Sequence, residues 1–220
     1  MAKSGLVQIA MAAAASLLMA ACVTPWPPTD TPKTADAPAP LTIDRLPADF
    51  VHNGGEPRSA DTIDMIVIHT IGGPLCEAGE IHFAEIGGSA VFWRDWFLDQ
   101  DDKSIHYVIG RDGAIAQQRP DLRTAGHVSF HGVRENVNRR SIGIELVNDG
   151  DGKDPFPPAQ IEAVTALVKK LSADYGLGPE DVFGHSELDP RRLEGCGDNY
   201  RRVDPGPLFP MTDLKAALAD

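Results

Sequence analysis

His69 closes the run Ile63 to His69 (IDMIVIH), and His185 closes Asp181 to His185 (DVFGH). Both runs are β-forming, so each imidazole is expected at the C-terminal end of a strand. A side chain held there points from a rigid element into a loop-bounded cleft, which suits a metal ligand. Asp204, fixed by Pro205, is a candidate third donor. A catalytic zinc takes three protein ligands from imidazole and carboxylate and leaves one position open for water. Glu145 stands out separately as an acid inside the β-forming stretch SIGIELVN, with Gly143 on the same strand face leaving room for a ligand to approach. Spacing alone does not decide between readings. No HExxH pattern is present, the histidines are equally compatible with hydrogen-bonded structural or surface roles, and Glu145 with a solvated strand face.

The elements that would position these residues read as an α/β chain. Ile63 to His69 is a mostly apolar strand of the kind buried on both faces. Glu77 to Phe97 reads as helix in two pieces, broken at Gly87-Gly88. Ser104 to Arg111 alternates as a strand, and Asp112-Gly113 turns it into Ala114 to Gln118. Ser141 to Asn148 sets Ile142, Ile144 and Leu146 on one face and Ser141, Gly143, Glu145 and Val147 on the other. Pro157-Pro158 open a helix carrying Ile161, Val164, Leu167, Val168 and Leu171 at helical spacing, with Gly176 as its C-cap. A last helix starts near Thr212. The expected architecture is one domain, a mixed central β-sheet flanked by helices, with no internal repeat.

The N-terminal region has a different composition. Lys3 precedes the apolar run Leu6 to Ala21, too short and alanine-rich for a membrane span and of the kind found in secretory signals. It ends in Leu18-Met19-Ala20-Ala21-Cys22, which resembles the bacterial lipobox, so 1–21 is expected to be a lipoprotein-type signal and Cys22 the lipidated residue. Val23 after that cysteine favours the outer membrane, facing the periplasm. Prolines 25, 27, 28, 32, 38, 40 and 47 mark 22–47 as an extended tether, leaving 48–220 as the folded domain. With Cys22 consumed, Cys76 and Cys196 remain as an even pair in an oxidising compartment and are expected to form a disulfide. The formal charge of −12 gives no general attraction to nucleic acid or to an anionic membrane.

From about Ile63 to Pro210 the chain resembles the zinc-dependent N-acetylmuramoyl-L-alanine amidase family, which includes phage lysozyme-type amidases and the animal peptidoglycan recognition proteins. The carriers, in the family's order, are IVIHT, SIHYVIGRDGAI, the AGH of the next loop, SIGIELVN, FGHSEL and RRVDPGPLFP. The resemblance implies Zn2+ held by His69, His185 and Asp204, with Asp204 preferred over Asp189 and Asp198. It implies Glu145 as catalytic acid/base and Arg202 at a position associated with substrate or transition-state charge, where many members carry lysine. His106 and His127 would belong to the substrate groove, although Gly126 replaces the tryptophan that usually precedes the second. The connection from His185 to Asp204 is longer than in compact members. The activity implied is hydrolysis of the amide between N-acetylmuramic acid and L-alanine in peptidoglycan. A non-catalytic peptidoglycan-binding module and a zinc peptidase cutting another stem-peptide bond are the alternatives.

Overall fold

A computed structural model of the chain describes residues 40–47, 55–193, 195–196 and 203–219. The expected signal, Cys22 and the tether up to residue 39 lie outside the described residues. Strands β1 (Ile43–Arg45), β2 (Met65–Thr70), β5 (Tyr107–Ile109), β6 (Ile115–Gln117), β7 (Ser141–Leu146) and β8 (Val182–Gly184) build one sheet in the order β1-β6-β5-β7-β2-β8. Among the described strands of this sheet only the β5 and β6 pair is antiparallel, so the sheet is mixed, as expected. A separate antiparallel hairpin joins β3 (Pro74–Glu77) to β4 (Glu80–Phe83). The helices are α1 (Ala90–Leu98), α2 (Val137–Arg140), α3 (Pro158–Tyr175), α4 (His185–Leu188) and α5 (Met211–Ala216). Among the described residues no helix is long and apolar enough to cross a membrane.

Strand alternation divides the residues of β2 and β7 between two layers. Ile66, Ile68, Ile142, Ile144 and Leu146 pack with Val164, Leu167, Val168 and Leu171 of α3. Each such side chain contributes on the order of 1.5–3 kcal/mol relative to exposure, so this face holds the sheet rigid. The opposite face is covered in two patches. Ala90 and Phe97 of α1 pack with Val108, Ala116 and Val147, while Met65 and Val67 pack with Val128, Val137 and Leu188. The uncovered remainder of that face is where β2 and β7 present their polar residues. Pro158 begins α3, Gly176 ends it in the left-handed conformation at φ 68°, and buried Gln160 ties its start to the sheet through Nε2, which donates to the carbonyls of Ile109 and Val147.

Two sequence expectations are corrected. The first half of Glu77 to Phe97 is the β3–β4 hairpin rather than helix, because Ala78 and Gly79, at φ 51° and 85°, make a left-handed two-residue turn between short alternating strands. Ile43–Arg45, placed in the tether by its prolines, is instead a parallel edge strand on β6. Leu41 and Ile43 pack on the core there, and that apolar contact outweighs the local composition.

Candidate metal centre and active site

β2, β7 and β8 run parallel, so their carboxyl ends share one edge of the sheet, where open α/β sheets place ligands. His69 of β2 and Glu145 of β7 are register partners on adjacent strands. His185 starts α4 directly after β8, and Asp204 arrives on the loop before α5. One ligand atom from each of His69, His185 and Asp204 lies within 4.8 Å of the others, a group able to hold a metal ion. Asp204 Oδ2 is 2.9 Å from His185 Nδ1 and 3.5 Å from His69 Nδ1. Its Oδ1 accepts the backbone N–H of Thr70 at 2.7 Å, which fixes the carboxylate against the end of β2.

Burial opposes ionisation of Asp204, but its hydrogen bond with His185 and the nearness of the His69 ring prevail and hold its carboxyl down to about 2. Burial, reinforced by the neighbouring His185, lowers the His69 imidazole below its ordinary value, which favours the neutral ring that binds a cation. Glu145 goes the other way. Burial first, and then the charge of Asp204, raise its carboxyl well above the usual carboxylate range, with Lys103 offsetting part of the effect. Among the described residues neither Glu145 Oε2 nor His185 Nε2, both buried, has a hydrogen-bond partner. Buried polar atoms are rarely left unpaired. Two imidazoles and an ionised carboxylate, with these orphaned atoms beside them, fit a divalent cation and a reacting group.

The three residues and Glu145 line a cavity of about 640 Å³. Trp93, Trp96 and Phe97 of α1 form one wall, His127, Val128, Ser129 and Asn138 form another, and Lys103 and Ser104 also line it. His127 lines this cavity, and its Nδ1 lies 2.9 Å from His69 Nε2. His106 does not. It is fully buried beneath the sheet face, where Nδ1 accepts from Gly143 N–H and Nε2 meets the carbonyl of Arg123. Burial, then the Arg58 guanidinium, lower its pKa to about 3, so it is a neutral structural bolt. Asp189 stays outside the ligand group, bound to Arg191 through Nε and Nη2 and 3.9 Å from His185 Nε2. Arg202 and Asp198 lie outside the described residues. Sequence reasoning did not single out Lys103 or the tryptophan wall; Trp93 and Trp96, three apart in an expected helix, were the available signal.

Cys76 and Cys196 are joined in a disulfide with Cα atoms 5.6 Å apart. It ties the β3–β4 hairpin to the connection between His185 and Asp204, across 120 residues of sequence. Removing such a crosslink costs about 2–5 kcal/mol. The double variant Cys76→Ser/Cys196→Ser is therefore expected to melt roughly 5–15 °C lower than the oxidised protein by calorimetry. Equal melting temperatures would show that the crosslink does not stabilise the fold.

The profile of the family described as N-acetylmuramoyl-L-alanine amidase (Amidase_2) matches residues 59–207, which contain every side chain of the ligand group. The chain belongs to the N-acetylmuramoyl-L-alanine amidase family. Among its relatives in this amidase family, AmiD of Escherichia coli K12 is 38% identical over 109 residues, covering 46% of this chain and 36% of AmiD. The 1,6-anhydro-N-acetylmuramyl-L-alanine amidase AmpD of Enterobacter cloacae is 31% identical over 172 residues, covering 70% of this chain and 80% of AmpD. A solved structure of E. coli AmiD with the substrate anhydro-N-acetylmuramic acid-L-Ala-D-gamma-Glu-L-Lys has a TM-score of 0.53 and 28% identity, over 71% of this chain and 57% of that one. The mixed sheet flanked by helices is thus an amidase fold. The chain spans about a third of AmiD's length but most of AmpD's.

Proposed function

We propose that this protein hydrolyses the amide between the lactyl group of N-acetylmuramic acid and the L-alanine that begins the peptidoglycan stem peptide, with zinc held by His69, His185 and Asp204. The observation that carries the reading is the convergence of these three side chains at the carboxyl edge of the sheet, with Glu145 directly across from His69 in register. The relative AmiD, solved with an anhydro-muramoyl peptide, supports the substrate class. When bound, zinc would supply Lewis acidity, lowering the pKa of water towards about 7 and polarising the scissile carbonyl. Glu145 takes the proton of the attacking water and returns it to the leaving alanine nitrogen. Its Oε2 has no hydrogen-bond partner among the described residues, which leaves it free to do so. Asp204 stays ionised and helps hold the site, and the aromatic and His127 walls exclude water around the bound amide.

Digestion of purified peptidoglycan and of soluble muropeptides, with and without a zinc chelator, tests this. Chelator-sensitive release of stem peptides beginning at L-alanine, identified by mass spectrometry, is the expected result. Zinc-loaded protein giving no product would indicate a binding module, and cleavage elsewhere a stem-peptide peptidase.

We further propose export and lipid anchoring through Cys22, in the outer membrane facing the periplasm. Support comes from the apolar run Leu6 to Ala21 and the lipobox-like residues before Cys22. Incorporation of a labelled fatty acid by the wild type but not by Cys22→Ser is the expected result, and no incorporation would sink it.

A further inference from the structure

We infer that His127 and Ser141 are positioning residues that hold His69 in the one tautomer able to ligate a metal through Nδ1; this rests on the metal reading above. The argument begins at the carbonyl of Val137, which can only accept. Ser141 Oγ lies 2.7 Å from it, so the single hydroxyl proton of Ser141 is directed there. The same oxygen lies 2.9 Å from His127 Nε2 and, its proton used, must accept from that nitrogen. A neutral His127 protonated on Nε2 has a bare Nδ1. That atom lies 2.9 Å from His69 Nε2, which must therefore carry the proton. His69 Nδ1 is left bare, on the side of Asp204 and His185.

The opposite tautomer is the one that Asp204 alone would select. With its Oδ2 3.5 Å from His69 Nδ1, a carboxylate draws the ring proton to that nitrogen and blocks it as a ligand. The relay through His127 and Ser141 opposes this pull from the far side of the ring. Three further features hold the relay in place. Asn138 Oδ1 accepts from the backbone N–H groups of His127 and Val128, and its Nδ2 donates to the Val128 carbonyl, so one side chain fixes the loop. Gly143, between Ser141 and Glu145 on the same strand face, gives the ring its seat, since a Cβ there would fall 2.7 Å from His127 Cγ. Ser141 itself is fully buried at the start of β7. The position read from sequence as a groove histidine thus also governs a ligand.

Outer partners of metal-bound histidines are generally worth about 10–100-fold in affinity. His127→Phe, which removes both ring nitrogens, is expected to weaken zinc binding by about that factor, measured by competition with a chromophoric chelator. His127→Gln keeps an acceptor for His69 and a donor for Ser141, and is expected to restore most of the affinity. The second readout is the imidazole nitrogen NMR spectrum of the zinc-free wild-type chain, in which His69 should carry its proton on Nε2. His69 protonated on Nδ1 would overturn the inference, as would a folded His127→Phe variant that binds zinc as tightly as wild type. The spectrum decides even where a variant fails to fold. A wild-type chain that shows the expected tautomer and yet fails to bind zinc would instead refute the metal reading.

Discussion

Replacing Glu145 with glutamine is expected to lower kcat on muropeptides by about 10²–10⁴-fold, the usual worth of a positioned general acid/base, while zinc content stays at the wild-type level. Glutamine fills the same volume on β7 and leaves His69, His185 and Asp204 untouched, but cannot take or return a proton. Zinc by elemental analysis and turnover by product release are the two measurements. Retained turnover would remove Glu145 from the chemistry, and lost zinc would make it a ligand. A stability measurement tests the burial of the same carboxyl independently. In the zinc-free protein, burial and then the charge of Asp204 raise the Glu145 pKa well above its ordinary value. A carboxyl raised on folding contributes stability that is complete below its unfolded pKa and is lost as pH rises through its folded pKa. Glutamine does not titrate, so the zinc-free variant should melt at or above the wild type at neutral pH. A lower melting temperature there would mean that the carboxylate makes a stabilising contact absent from the structure.

Much of this site was legible because its parts lie on regular strands. The alternation in SIGIELVN placed Glu145 and Gly143 on one face and the isoleucines on the other, and the structure packs the isoleucines against α3. The ends of β2 and β8 placed His69 and His185. What escaped depends on partners far away in sequence. The resemblance implied a groove position for His106, but Arg58, 48 residues upstream, closes over it and seals it in. Burial lowers the Arg58 pKa to about 10, and its guanidinium donates to the carbonyls of Asp121, Arg139 and Ser141. No local pattern announces such a clamp. The β3–β4 hairpin was hidden by helix-forming glutamate and alanine, and by a turn that lacks the usual asparagine or aspartate. Ser141 read as the first residue of a strand, and only the fold brings its hydroxyl to His127.

Asp204→Ala is expected to have an effect larger still on the metal, and the reverse signature to Glu145→Gln. Asp204 is the only anion among the three ligand candidates. Its removal leaves the Thr70 N–H without its acceptor and two imidazoles facing each other with no carboxylate between them. Losing an outer partner costs about 10–100-fold in affinity, so losing a charged ligand should weaken zinc by more than about 100-fold. Turnover should fall with occupancy, and excess zinc should recover part of it, whereas excess zinc should do nothing for Glu145→Gln. Asp189→Ala supplies the comparison. Asp189 is held to Arg191, whose hydrogen bond is the main reason that its carboxyl titrates below the ordinary range, and it stands 3.9 Å from His185 Nε2. Its loss breaks an ion pair beside the site without removing a donor from the group, and zinc affinity should change far less than in Asp204→Ala. If Asp189→Ala lost the metal and Asp204→Ala kept it, the third ligand would have to be reassigned to the end of α4, and the loop before α5 would become a wall of the groove.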